Sequence, residues 1–273
     1  MKKASGKFSN LLCEMMRDPF PGRTTAKPRQ KGWTFVIDRG MGLHALEDMI
    51  QTAGGYVDDV KIAMGTPMLY EEGLLREKIR LLSAARIEVM PGGTMTEVAI
   101  WQGTMEHYMD AIKELGFTAI EISDGTIDMD DDLRARAILA ARERGFRVLC
   151  EVGKKFADIQ IAPEEAARAI RRDLDLGAFM VVVEAREKGK DTILFGSEGD
   201  VREDVLTELV RKVGGVEKIL WEAPTKDQQA HLIAAFGPDV NLGNILVEDV
   251  LFLEALRRGL RGDTLRLAIE AES

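Results

Sequence analysis

Two cysteines in 273 residues are too few for a disulfide framework. Cys13 falls in a polar leader and Cys150 in an apolar run, so neither a disulfide nor a zinc site is expected, and a reducing cytoplasm is the expected location. No stretch approaches the roughly 18 apolar residues of a membrane-spanning helix. Residues 1–29 open with Lys2 and Lys3 but never develop the apolar core of about 7 to 15 residues that a secretion signal needs. Histidine is scarce too. His107 and His231 lie in helical patterns and His44 follows the first strand, so surface or packing roles are expected, and no Ser-His-Asp or Cys-His set is apparent. Positive charge is in deficit, with 37 Lys and Arg against 46 Asp and Glu and a net charge of −9, which argues against a general nucleic-acid binder.

What the chain has is alternation. From Lys31 onward, short apolar runs rich in β-branched residues take turns with longer amphipathic stretches. Strands are predicted at 34–37, 59–62, 87–90, 118–122, 147–151, 179–184, 218–222 and 240–242. Most of these runs are continuously apolar, as expected of strands covered on both faces. Between them, Met105, Tyr108, Met109, Ile112 and Leu115 form one helical stripe. Gly116, Gly145, Gly177, Gly214 and Gly237 each precede a strand, where a left-handed helix cap is expected. Eight such cycles with no linker predict a single α/β domain, a closed (β/α)8 barrel over residues 30–273, preceded by an irregular N-terminal arm over 1–29. The arm could cover the bottom of the barrel or a neighbouring subunit. An open, doubly wound sheet is the main rival; Asp38-Arg39-Gly40-Met41-Gly42 stands where its Gly-x-Gly-x-x-Gly turn would be.

Barrel chemistry collects at the C-terminal ends of strands. In order, those ends carry Asp38; Lys61; Gly92, Gly93, Thr94 and Glu97; Glu121, Ser123 and Asp124; Glu151, Lys154 and Lys155; Glu184 and Arg186; Glu222; Asn241 and Asn244. Glu121, Glu151 and Glu184 end three consecutive strands, an arc of hard oxygen ligands suited to Mg2+. The bland alternative is a set of structural Glu–Lys and Glu–Arg pairs. Lys61, Lys154, Lys155 and Arg186 supply the opposite charge and suit a substrate with phosphate and carboxylate groups. Asn241-Leu242-Gly243-Asn244 is expected to turn into a helix from Ile245 and to offer backbone N–H groups to a phosphate, with Asn241, Gly243 and Asn244 binding substrate. If the backbone stays extended past Glu151, Lys155 lies on the Glu151 side and Lys154 opposite, which makes Lys155 the expected proton donor and Lys154 an anion-binding group; a twist at Gly153 would exchange the two roles.

These residues fall in blocks that resemble the phosphosulfolactate synthase family: KPRQKGWTFVID at 27–38, PGGT at 91–94, EISDGT at 121–126, EVGKK at 151–155, EARE at 184–187, EAP at 222–224, VNLGNI at 240–245 and GLRGDT at 259–264. The resemblance implies a (β/α)8 barrel that adds sulfite to phosphoenolpyruvate in the presence of Mg2+, giving (R)-2-phospho-3-sulfolactate. It carries two alternatives: another Mg2+-dependent lyase acting on a phosphorylated carboxylic acid, and a non-enzymatic, stress-associated barrel of the same family. The expected partners are these small molecules and further copies of the chain, with a trimer as one form of homo-oligomer; no nucleic acid and no membrane are expected.

Overall fold

The chain is described by a computed structural model over residues 11–153, 161–185 and 189–272. Each apolar run forms a strand: β1 (Thr34–Asp38), β2 (Asp59–Ile62), β3 (Glu88–Pro91), β4 (Ala119–Ile122), β5 (Arg147–Val152), β6 (Met180–Val183), β7 (Ile219–Glu222) and β8 (Asn241–Leu246). The short α1 (Leu11–Met15) lies in the arm, and α2 (Leu43–Ala53), α3 (Glu72–Ala84), α4 (Gly93–Trp101), α5 (Met105–Leu115), α6 (Asp131–Glu143), α7 (Pro163–Asp175), α8 (Glu203–Val213), α9 (Lys226–Phe236), α10 (Val250–Arg257) and α11 (Gly262–Glu272) lie between or after the strands. All the strand pairs are parallel, in the order β3-β2-β1-β8-β7-β6-β5-β4. The two ends of this sheet meet at Thr118, whose N–H donates to the Val89 carbonyl (3.1 Å) and whose hydroxyl accepts from the Val89 N–H (3.0 Å). The sheet is therefore rolled into the expected (β/α)8 barrel, joined along one edge by a much shorter run of hydrogen bonds than elsewhere.

Alternation along each strand divides the core in two. Phe35, Met90, Ala119, Leu149, Met180, Val182 and Leu220 fill the inside with Trp33, whereas Val36, Val60, Ile62, Val89, Ile120, Val148, Val181 and Trp221 face the helices. Fully burying such a side chain is worth about 1.5–3 kcal/mol, so both layers are needed to hold the ring. The α5 stripe behaves as its spacing predicts: Met109 and Ile112 are buried, and Met105, Tyr108 and Leu115 pack at the margin of the core. The five glycines before strands all have positive φ, from 73° to 102°.

The bottom of the barrel is sealed by the arm. Arg23 donates to Glu254 (2.9 Å) and Asp239 (3.3 Å), Arg29 pairs with Asp58 (3.0 Å), and Arg258 reaches back to Asp18. Inside this floor, the Arg147 guanidinium lies 4.4 Å from the Phe179 ring centroid and 3.1 Å from Glu88.

β8 departs from expectation. It extends through Asn241–Leu246 instead of stopping at 242, and a short 3-10 turn at Val247–Asp249 leads into α10, so no helix begins at Ile245. Thr34 is level with Leu242 but Val36 with Ile245, so one extra residue is accommodated here, and Asn244 takes up a left-handed φ of 58°.

Candidate active site

At the C-terminal mouth, Lys61 is the point on which three strands converge. Its Nζ lies 2.8 Å from Glu121 Oε1, 3.9 Å from Glu151 Oε2 and 3.9 Å from Glu222 Oε1. All four side chains are buried. Burial alone would push the Lys61 pKa down, but Glu121, Glu151 and Glu222 outweigh it and raise it above the ordinary lysine value. Lys61 is consequently a fixed positive charge and a poor proton shuttle.

Two of the three carboxylates, Glu121 and Glu222, are also held from behind. Glu121 Oε2 accepts the Gly93 N–H (2.7 Å) at the start of α4, where the helix dipole favours an anion. Position 93 needs glycine: a Cβ there would lie 2.6 Å from Ser123 Oγ and 2.8 Å from Glu121 Oε2. Glu222 Oε2 accepts the Ala185 N–H (2.9 Å) and faces the Asn244 amide (3.5 Å). Glu97, one turn into α4, accepts from the Ser123 hydroxyl and from the N–H groups of Thr126 (2.7 Å) and Ile127 (3.0 Å), which fixes the loop after β4. Asp38, at the end of β1, is committed to its own loop: it accepts from Gly40 (2.8 Å) and Met41 (2.7 Å) and pairs with the buried Lys78 of α3 (2.6 Å).

The structure thus brings together Lys61, Glu121 and Glu151 of the expected site and adds Glu222, which the sequence places at a strand end but which was not among the expected ligands. Its signal is in the sequence: Ile219-Leu220-Trp221-Glu222 has the same form, an apolar run ending in a carboxylate, as the runs that lead to Glu151 and Glu184. Glu184 follows β6 and is buried, packed so closely on Gly153 that a Cβ there would lie 2.8 Å from its own Cβ. Asn244 joins the site through Glu222. Asn241 does not: it opens β8 at the opposite end of the barrel, where its Oδ1 accepts from the Trp33 N–H (3.0 Å) and its Nδ2 donates to Glu217 and Ile219 carbonyls (both 3.0 Å). Gly243 is inside the barrel wall, where a Cβ would meet Leu220 at 2.3 Å and Phe35 at 3.1 Å. The expected phosphate turn over 241–244 is therefore strand, and its glycine makes room for core side chains. Lys154, Lys155 and Arg186 lie outside the described residues. Strand alternation cannot be carried to them from Glu151, because β5 ends at Val152 and Gly153 bends with φ 147°.

Over residues 22–263 the chain matches the family described as (2R)-phospho-3-sulfolactate synthase (ComA). The chain belongs to that family. It is 41% identical over 243 residues to the phosphosulfolactate synthase of Methanothermobacter thermautotrophicus, covering 88% of this chain and 94% of the relative. It is 37% identical to the phosphosulfolactate synthase of Bacillus subtilis, with coverage of 88% and 94%. Among solved structures, the YdjI aldolase of Escherichia coli K12 superposes with a TM-score of 0.53 at 14% identity, covering 89% of this chain and 90% of the aldolase, a likeness of fold alone.

For this synthase-family barrel, the expected metal arc can be tested on the donor set. Among the described residues, no group of three or more His, Cys, Asp and Glu side chains is disposed to hold an ion. Glu121 has the Lys61 ammonium at one oxygen and the Gly93 N–H at the other. An ion held by Glu121, Glu151 and Glu184 alone does not fit this arrangement. No helix among the described residues is long and apolar enough to cross a membrane.

Proposed function

We propose that the chain is a phosphosulfolactate synthase, which joins sulfite to phosphoenolpyruvate and gives (R)-2-phospho-3-sulfolactate. The observation that carries the reading is the match to synthases along 94% of their length, which includes the strands that build the Lys61 cluster. A non-enzymatic barrel is not favoured, because the relatives at 37–41% identity bear the synthase name.

In this reading sulfur attacks the methylene carbon of phosphoenolpyruvate. The carbon–carbon π electrons move onto C2 and into the carboxylate, and a proton is added at C2 while the phosphate stays in place. Charge grows on the carboxylate during the attack, so a preorganised cation at that point lowers the barrier. Lys61, kept charged by its three carboxylates, and the Asn244 amide are the described groups assigned to substrate. Lys155 is assigned the proton, and Lys154 and Arg186 the anionic groups of the two substrates. Mg2+ belongs to this reading: held in part by a carboxylate of the mouth such as Glu151 or Glu184, it would offset the charge that grows on the substrate carboxylate. A cytoplasmic location fits two free cysteines, and homo-oligomerisation, of which a trimer is one form, fits the exposure of Met68, Leu69 and Trp101.

Phosphorus NMR of the protein with sulfite, phosphoenolpyruvate and Mg2+ tests the reaction. The enol phosphate signal should be replaced by that of an alkyl phosphate ester, and chelation should stop the conversion. Unchanged phosphoenolpyruvate at high enzyme concentration would sink the proposal.

A further inference from the structure

β5 extends past its neighbour on one side. Its last pair with β4 is Ile122 with Cys150, yet the strand continues to Val152. In a parallel ladder successive residues bond alternately to the two neighbouring strands. Arg147 donates to Thr118 on the β4 side, whereas the Val148 and Val152 carbonyls accept from Phe179 and Glu184 on the β6 side. By that alternation the Glu151 carbonyl faces the β4 side at a level where β4 has already ended. A buried carbonyl there needs a partner.

The partner is Arg134 of α6, whose Nη2 donates to the Glu151 carbonyl at 2.9 Å. The same guanidinium reaches Asp124 beyond β4 through Nη1 (3.3 Å) and Asp173 of α7 through Nε (3.1 and 3.0 Å) and Nη2 (2.6 Å). Arg134 is 2% exposed and Asp173 is 0% exposed. A planar fork with several donors can bridge such points, and a lysine ammonium cannot span them in one geometry. The residue held at this point is the one whose carboxylate faces Lys61 across the mouth.

We infer that Arg134 is a positioning residue of the active site: by completing the hydrogen bonding of the overhanging end of β5, it sets the place of the Glu151 carboxylate in the Lys61 cluster. It touches no reacting atom and acts through Glu151. The activity readout rests on the proposed synthase reaction; the placement of the guanidinium does not.

A double-mutant cycle tests it, with Arg134→Lys, Glu151→Gln and the two combined, each assayed below its own melting temperature. Lysine keeps a charge beside Asp173 but releases the Glu151 carbonyl or Asp124. Misplacement of a site group by an ångström costs on the order of 10²-fold, so Arg134→Lys should lower kcat about 10- to 100-fold with the phosphoenolpyruvate KM little changed. In the Glu151→Gln background the same change should cost no more than about twofold, because there is no carboxylate left to place. Asp173→Asn, which leaves the guanidinium but weakens its anchor, should show the same dependence on Glu151 and serves if Arg134→Lys does not fold. Equal losses in both backgrounds, or parent-like kcat in both Arg134→Lys and Asp173→Asn, overturn the inference. A parent protein that makes no phosphosulfolactate overturns the synthase reading instead, so the two failures are told apart.

Discussion

Lys61 shows how much of the site depends on one charge. Remove its ammonium, as in Lys61→Met, and Glu121, Glu151 and Glu222 face one another without their shared cation. Breaking a buried pair in this way costs about 3–5 kcal/mol, so the variant should melt well below the parent and lose activity even where it stays folded; calorimetry and the phosphorus NMR assay check both. Two residues earlier on β2, Asp59 is fully buried and neither carboxylate oxygen has a hydrogen-bond partner. Burial, then Glu88 and Glu121, raise its pKa well above the ordinary value. The folded chain therefore keeps a proton that the unfolded chain releases near the usual carboxylate pKa, and stability falls as pH rises through that window. Asp59→Asn lacks this term, so its stability advantage over the parent should grow with pH in urea titrations between pH 4.5 and 7; a constant difference would mean that Asp59 is ionised. Lys155, assigned from sequence, has a direct test: Lys155→Ala should lower kcat by about 10²- to 10⁴-fold while phosphoenolpyruvate still binds, and a loss within about threefold reassigns the donor. At this scale the sequence brought out Glu121 and Glu151 as carboxylates near the ends of buried apolar runs, and Lys61 as a cation inside the short strand β2. The Glu121–Lys61 contact is one of the Glu–Lys pairs that the sequence allows; the Gly93 N–H at the other Glu121 oxygen is not legible there, since it depends on groups that meet only in the folded barrel.

β8 is the element least legible in the sequence, and for a physical reason. Three of the four residues in Asn-Leu-Gly-Asn are turn formers, and local propensity points away from a strand. Tertiary packing overrides it: Gly243 admits Leu220 and Phe35 to the inside, and the bulge at Asn244 directs its amide at Glu222. Gly243→Val should accordingly act as an overpacked core, costing about 1–3 kcal/mol, and should lower the melting temperature without a selective rise in the phosphoenolpyruvate KM. A selective KM effect with unchanged stability would restore the phosphate role that the sequence suggested. The other seven strands were legible to within a residue or two because their apolar runs leave no competing local structure. Their helices were marked by caps and stripes whose spacing needs no tertiary information.

The molecule as a whole is a ring whose weakest join runs between β3 and β4, where Thr118 supplies both hydrogen bonds to Val89. Above that join, contacts from the active site do what a longer ladder does elsewhere. Glu121 reaches from β4 to the Gly93 N–H, the Thr96 hydroxyl donates to the Glu121 carbonyl (2.8 Å), and Ser123 and Thr126 are tied to Glu97. Opening this edge would pull Glu121 from Lys61 and Gly93 together, so the residues that build the Lys61 cluster also clasp the barrel shut. Amide exchange should register this directly. The Thr118 and Val89 N–H groups should exchange with deuterium sooner than those of the β5–β6 ladder, and saturating phosphoenolpyruvate should slow them. In Glu121→Gln the exchange at these two amides should quicken while the far side of the ring keeps its parent rates. The catalytic mouth would then be a buckle as well as a site, and loosening it by mutation would cost the enzyme its circumference before it cost the fold.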